Sequence, residues 1–353
     1  MDFLEAPEPL GKAPLAYENA AFLSSPDGRI MRILSEYAEP LARFRRERVQ
    51  DTIVFFGSAR FHALDVACSH LELLENTGSS KAAPEQEQPK AAPDATPLQR
   101  SRAEAAVEMA HYYEAARKLA YMLTKWSMGL SSQPDAEAAA QRDGRGGHRH
   151  RFVVTSGGGP GIMEAANRGA HEAGGKTIGL NISLPFEQMP NPYITPELNF
   201  EFHYFFMRKY WFAYMAKALV VFPGGFGTLD EMFELLTLVQ TRKLAKRIAI
   251  VMYGSSYWKT VLNLDVLVEK GAIAPDDIHL FQFVDTPEEA FDQLTKSLIE
   301  LHLGGVAPVS EYAKAAPARV SAEPQPAGVR AEDEGSLPNV QELLGPDLAK
   351  TRP

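Results

Sequence analysis

Six short apolar runs punctuate the middle of this chain, and their spacing constrains the fold more than any other feature. They are Thr52-Ile-Val-Phe-Phe-Gly57, Arg151-Phe-Val-Val-Thr155, Lys176-Thr-Ile-Gly-Leu-Asn181, Ala218-Leu-Val-Val-Phe222, Arg247-Ile-Ala-Ile-Val-Met252 and Leu280-Phe-Gln-Phe-Val284. Their length suits strands, and the lack of apolar/polar alternation implies burial on both faces, as in a parallel sheet covered by helices. Helical patterns separate them. Ser101 and Glu104 form a capping box that predicts an alanine-rich helix running to about Ser127. Thr286-Pro287-Glu288-Glu289 predicts another, with proline in its first turn. Strands joined by helices require right-handed crossovers. The expected fold is therefore α/β: a doubly wound, Rossmann-like parallel sheet with helices on both faces. Ligands in such sheets sit beyond the carboxyl ends of the strands.

Around this core the composition shifts. Residues 76–100 and 131–150 and the stretch from 306 are poor in large apolar side chains and rich in proline, glycine and charge, so they cannot offset the entropy of ordering. The expected organisation is a helical extension at 1–49 and a nucleotide-binding catalytic domain at 50–305 carrying disordered insertions at 76–100 and 131–150. A flexible tail at 306–353 follows, within which Val340 to Leu344 could form a short docking segment. The His/Arg run at 148–151 is expected to be a solvated loop. With 353 residues, 45% of them apolar, the chain can bury a sizeable core. Its net charge of −9 disfavours nucleic-acid polymers and anionic membranes as partners. No apolar run approaches the roughly 20 residues of a bilayer span, and Met1-Asp2-Phe3 opens no basic leader, so a cytoplasmic protein is expected. The single cysteine, Cys68, permits no internal disulfide and no cysteine metal cluster. Neither a metal nor a cofactor is expected.

Two glycine loops follow buried runs. Thr155-Ser-Gly157-Gly158-Gly159-Pro160-Gly161-Ile-Met163 lets backbone amides approach a ligand closely. Val221-Phe222-Pro223-Gly224-Gly225-Phe226-Gly227-Thr228-Leu-Asp-Glu231 leads into a helix whose free N–H groups and positive dipole end favour a phosphate. Neither fits G-x-G-x-x-G, since Ile162 and Asp230 stand where the third glycine belongs, and there is no G-x-x-x-x-G-K-[ST] loop. A dehydrogenase and a nucleoside triphosphatase are thereby disfavoured. Glycines that only make tight turns are the plainer alternative, but two such loops in one chain point to a phosphate-bearing ligand.

The stretch Pro223-Gly-Gly-Phe-Gly-Thr-Leu-Asp-Glu231 resembles the P-G-G-x-G-T-x-x-E signature of the LOG family of nucleoside-monophosphate phosphoribohydrolases, with Met207-Arg208-Lys209 at the usual spacing upstream. Gly57 and Ser58 after the first run, and Gly157, Gly158, Gly159 and Met163, match that family's other nucleotide-facing loops. The resemblance covers about residues 50–300. It implies a Rossmann-like homodimer or larger oligomer that releases a free base and ribose 5-phosphate from AMP or a modified AMP. By position it makes Arg208 and Glu231 the catalytic pair. Lys209, Pro223, Gly224, Gly225, Gly227 and Thr228 would bind the nucleotide with the residues of the other two loops. The segment Asn181 to Gln188 followed by Asn191-Pro-Tyr193 looks more like a larger bacterial branch than the compact plant members. The family's older lysine decarboxylase label finds no Schiff-base lysine site here.

Cleaving the C1′–N9 bond builds oxocarbenium character on the ribose, which a carboxylate near C1′ can stabilise while orienting water. Glu231 suits that task. Its structural alternative is a capping box, Thr228-Leu-Asp-Glu231, in which the carboxylate merely reaches back to the helix start. Arg208 offers a planar fork to a phosphate or ribose hydroxyl, or else a salt bridge. The aromatics Phe202-His-Tyr-Phe-Phe206 and Tyr210-Trp-Phe212 are expected to be core rather than base-stacking. His203 is expected to be structural, and no His pair has zinc-hydrolase spacing. A non-catalytic nucleotide sensor or cofactor carrier on the same fold is the competing expectation.

Overall fold

The computed structural model describes residues 11–77, 96–131, 149–185, 189–244 and 246–304. All six predicted runs are strands, each bounded within two residues of its expected ends: β1 (Thr52–Phe56), β2 (Val153–Ser156), β3 (Thr177–Ile182), β5 (Ala216–Val221), β6 (Ala249–Tyr253) and β7 (Gln282–Val284). A seventh, β4 (Asn199–Phe202), lies between β3 and β5 in the chain. The sheet order is β4-β3-β2-β1-β5-β6-β7, and every pairing is parallel. The chain winds outward in one direction from β1 to β4 and in the other from β5 to β7. The switch point of this doubly wound sheet therefore falls between β1 and β5.

Alternate residues of β1 feed the two faces. Val54 and Phe56 enter one core with Phe44 of α2 (Arg29–Arg46), Trp211 and Phe212 of α6 (Phe205–Met215) and Met232 of α7 (Phe226–Gln240). Ile53 and Phe55 enter the other. There they meet Tyr113, Ala116 and Leu119 of α4 (Pro97–Ser131), Ala165 of α5 (Ile162–Glu172) and Leu294 of α10 (Pro287–Leu298). Trp211 also donates its indole N–H to the Glu36 carbonyl at 2.9 Å, which pins α2 to α6. Removing that buried ring should cost about 3–5 kcal/mol. The remaining helices are α1 (Ala20–Ser24), α3 (Leu64–Thr77), α8 (Ser255–Val261) and α9 (Leu264–Glu269). Among the described residues no helix is long and apolar enough to cross a membrane.

Three local expectations are corrected. The long helix α4 opens at Pro97, not at Ser101: Gln99 N donates to the Thr96 hydroxyl at 3.3 Å, and Thr96 N donates to Gln99 Oε1 at 2.8 Å. Thr96-Pro-Leu-Gln99 is thus the operative capping box, with proline at the first helical position where its missing N–H costs nothing. Of the expected insertions, 76–77, 97–100 and 131 are helical, 96, 149 and 150 are described, and 78–95 and 132–148 lie outside the described residues. So does the tail from 305. Finally, the end of the 148–151 run is not a solvated loop. His150 forms a parallel bridge with Val49, and Arg151 pairs with the buried Asp51.

Candidate active site at the switch point

Three strand ends converge where the winding reverses. Ser58 N, just beyond β1, donates to the Pro223 carbonyl beyond β5 at 3.0 Å. The Ser58 carbonyl accepts from Ile162 N, at the start of α5 beyond β2, also at 3.0 Å. Gly57, Ser58, Pro223 and the Gly157–Gly161 loop are therefore one backbone assembly. The second glycine loop is braced from below: a Cβ on Gly224 would lie 2.1 Å from the Thr228 hydroxyl, and the Tyr257 hydroxyl donates to the Gly224 carbonyl at 3.0 Å. Gly225 and Gly227 have open space where a side chain would be.

The first loop depends on asparagines that sequence reading did not single out. Gly158 takes φ +76°, and a Cβ there would strike the side chain of Asn181. Asn181 is itself held by donation to Asn199 Oδ1 (2.7 Å) and the Phe200 carbonyl (2.9 Å). Asn191 is buried, and its Nδ2 faces the carbonyls of Gly158 (3.0 Å) and Gly159 (3.1 Å) and Asn167 Oδ1 (2.9 Å). Asn167 Oδ1 also accepts from Ser156, whose hydroxyl accepts from Gly158 N at 3.1 Å. Because a trans peptide holds C=O and N–H on opposite sides, fixing the Gly158 carbonyl on Asn191 aims the Gly159 N–H the other way. The spacing signal was present only as the Asn191-Pro-Tyr segment.

Arg208 is the fourth residue of α6, and Glu231 is the sixth of α7. Arg208 Nη2 donates to Glu231 Oε1, with the two side chains only 12% and 14% exposed. The pair abuts the first loop: a Cβ on Gly157 would lie 2.7 Å from Met163 Sδ and 3.9 Å from Arg208 Nη2. Arg208 Nε is buried without a hydrogen-bond partner among the described residues. Burial pushes the Glu231 carboxyl above the usual carboxylate range, with the Arg208 guanidinium pulling the other way. Glu201 on β4 is raised by burial as well, and again Arg208 opposes. Lys209 turns away from Glu231 to Asp230 (2.8 Å) and Glu234 (3.0 Å). Burial works against its charge, but those two carboxylates outweigh it and raise its pKa.

The capping-box alternative for Glu231 is corrected here. The Pro223-Gly-Gly turn starts α7 at Phe226 with Gly225 as its N-cap and no side-chain cap. Thr228 is thus already inside the helix and Glu231 lies beyond its first turn, so neither can cap it. Of the aromatics, Phe202, Trp211 and Phe212 are core as expected, whereas Phe205 and Phe206 are about half exposed. Phe226, which sequence reading passed over, is 92% exposed at the head of α7. His203 is exposed, and its backbone N–H donates to Glu36.

A doubly wound parallel sheet with glycine loops gathered around a paired arginine and glutamate at its switch point defines a class of α/β small-ligand proteins. Residues 163–294 match the family model described as "Possible lysine decarboxylase". The chain is 28% identical over 194 residues, 51% of its length and 88% of the relative's, to the "Cytokinin riboside 5'-monophosphate phosphoribohydrolase LOG7" of Arabidopsis thaliana. It is 29% identical over 142 residues, 40% of its length and 70% of the relative's, to the "Probable cytokinin riboside 5'-monophosphate phosphoribohydrolase LOG6" of the same plant. Over these segments the chain is similar to the LOG family. A solved molybdenum cofactor binding protein from Rippkaea orientalis aligns at 20% identity and TM-score 0.33 over 52% of this chain and 88% of that one, too loosely to bear on function.

Proposed function

We propose that this protein hydrolyses the N-glycosidic bond of a purine ribonucleoside 5′-monophosphate, AMP or an N6-modified AMP, to free base and ribose 5-phosphate. The observation that carries the reading is the Arg208–Glu231 pair set against Gly157 and Met163, at the point where two glycine loops meet the end of β1. The names of the relatives support the reaction type. In this reading the amides of the loops and the head of α7 cradle the 5′-phosphate, and Arg208 supplies a fixed cation. On substrate entry Glu231 faces the ribose. Its carboxylate stabilises the developing oxocarbenium and takes the proton of the attacking water, while the base departs with the bonding electrons and takes a proton from solvent. A carboxylate in a site this dry acts more strongly than one in water. The half-exposed Phe205, beside Arg208, and the exposed Phe206 and Phe226 suit burial against a base or a second subunit, in keeping with a homo-oligomer.

The test is incubation of purified, metal-free protein with AMP and with adenosine, scored for adenine. Rapid release from AMP and poor release from adenosine is the expected result, because the phosphate supplies the anchoring energy. Equal turnover of both would misplace the phosphate cradle. Tight AMP binding with no base released would favour the sensor reading.

A further inference from the structure

The amino ends of the strands, opposite the glycine loops, gather a second set of charges. Four adjacent strands each bring one residue: Asp51 just before β1, Arg151 before β2, Lys217 at the start of β5 and Lys246 before β6. Neighbouring strands lie about 4.8 Å apart, so these four entries span roughly 15 Å. Lys217 occupies a register shift, since Thr52 pairs with Ala216 and Ile53 with Ala218. Side-chain contacts link them. Asp51, 1% exposed, accepts from Arg151 Nη2 at 2.8 Å and from Phe152 N at 2.6 Å. Arg151 Nη1 reaches the His302 carbonyl at 3.5 Å, and Lys246 Nζ donates to the Tyr214 carbonyl, two residues before β5.

The charges do not balance. One buried carboxylate, already engaged by Arg151, faces three basic side chains. Among the described residues neither Lys217 nor Lys246 forms an ion pair, and two buried polar atoms in the same neighbourhood, Thr52 Oγ1 and His302 Nε2, have no hydrogen-bond partner. Half-buried cations without a counter-charge are costly, and sheet cores normally avoid them. Lys217 and Lys246 are only partly buried, whereas His302 Nε2 is closed off from solvent.

We propose that Arg151, Lys217, Lys246 and His302 form a second anion site, for a phosphate group, at the amino end of the sheet. The site is independent of the reading of the glycine loops. The titration of its members agrees. Burial and then the charge of Lys217 push Lys246 down to about 7 and His302 down to about 4, while burial lowers Lys217 itself. A bound dianion reverses that pressure on all three.

The experiment follows the side-chain NMR signals of ¹³C-lysine-labelled full-length protein, with Lys246 and Lys217 each assigned by its loss in the arginine variant. Inorganic phosphate, ribose 5-phosphate and chloride are titrated at constant ionic strength. The site predicts saturable movement of both signals with phosphate or ribose 5-phosphate. It also predicts a rise of at least about one unit in the Lys246 midpoint, as a nearby opposite charge produces. Lys217→Met should weaken the response at Lys246 at least tenfold, and Lys246→Met should do the same at Lys217, so a folding failure in one variant leaves the other decisive. A stronger response to ribose 5-phosphate would identify an organic phosphate as the ligand, and an equal one inorganic phosphate. Signals unmoved by either anion, an equal response to chloride, or an undiminished response in the folded variants would overturn the proposal.

Discussion

Arg208 and Glu231 stand 23 residues apart on two different helices, yet their side chains meet and are almost shut off from solvent. Because Glu231 is the sixth residue of α7, its carboxylate is free of any role in starting the helix. Glu231→Gln therefore isolates charge from shape. The amide can still accept from Arg208, so stability should change by no more than about 1 kcal/mol. Turnover of AMP should fall by at least about a hundredfold, the lower range for a positioned acid or base, while AMP binding persists through the loops. A folded variant that binds AMP and keeps near-normal base release would remove Glu231 from the mechanism.

The raised carboxyl of Glu231 gives a pH signature. Catalysis requires the ionised form, so kcat/KM should rise with pH through a midpoint above the ordinary 4.5, and that acid limb should vanish in Glu231→Gln. Stability runs the opposite way. A carboxyl that holds its proton more tightly in the folded state stabilises the fold below its unfolded pKa, and that contribution is lost as pH rises through the folded pKa. Thermal melts between about pH 4 and pH 8 should thus show the Gln variant gaining on the native protein as pH increases. A native protein that gains on the Gln variant as pH rises would mean Arg208, not burial, dominates the site.

Two glycines with nearly the same φ separate strain from crowding. Gly158 (φ +76°) and Gly174 (φ +79°) both occupy the left-handed region, but a Cβ on Gly174 meets nothing within 4 Å, whereas one on Gly158 strikes an anchored Asn181. Gly174→Ala should cost about 1–2 kcal/mol of stability, from strain alone, and leave activity intact. Gly158→Ala should cost more and also weaken AMP binding. Equal melting temperatures for the two would show that Asn181 yields freely.

What was legible in the sequence follows from what is local. Runs such as Thr52–Phe56 are buried on both faces and announce a parallel sheet without any knowledge of neighbours. β4 escaped because it is an edge strand: Asn199 and Glu201 are exposed, and only Phe200 and Phe202 face the core. The glycine loops and the Arg208–Glu231 pair stood out because their residue types lie close together in the chain or match a family pattern. The start of α7 did not, since Thr228 and Glu231 satisfy a cap spacing that the preceding Pro223-Gly-Gly turn makes irrelevant. The cluster of Asp51, Arg151, Lys217 and Lys246 was invisible, because only the strand order brings together residues so far apart in sequence.

Asn191 offers the sharpest test of how the phosphate cradle is held. Its Nδ2 group faces the carbonyls of both Gly158 and Gly159, and so fixes the orientation of the loop without being aimed at the ligand. Asn191→Asp keeps the volume and the oxygen that accepts from Tyr193 N, but sets a carboxylate oxygen against two carbonyls and Asn167 Oδ1. Buried carbonyls left without donors cost about 1–3 kcal/mol, and the loop should turn to recover partners, misdirecting the Gly159 amide. If binding loses about 1.4 kcal/mol of this, KM for AMP rises about tenfold. The carboxylate and guanidinium that act on the ribose stay in place, so kcat should change much less. Slow turnover of adenosine, which makes no use of the cradle, should be nearly unaffected. Steady-state kinetics on both substrates read this out directly. A fall in kcat with KM unchanged, or equal losses on AMP and adenosine, would show that Asn191 supports the fold at large rather than the phosphate loop.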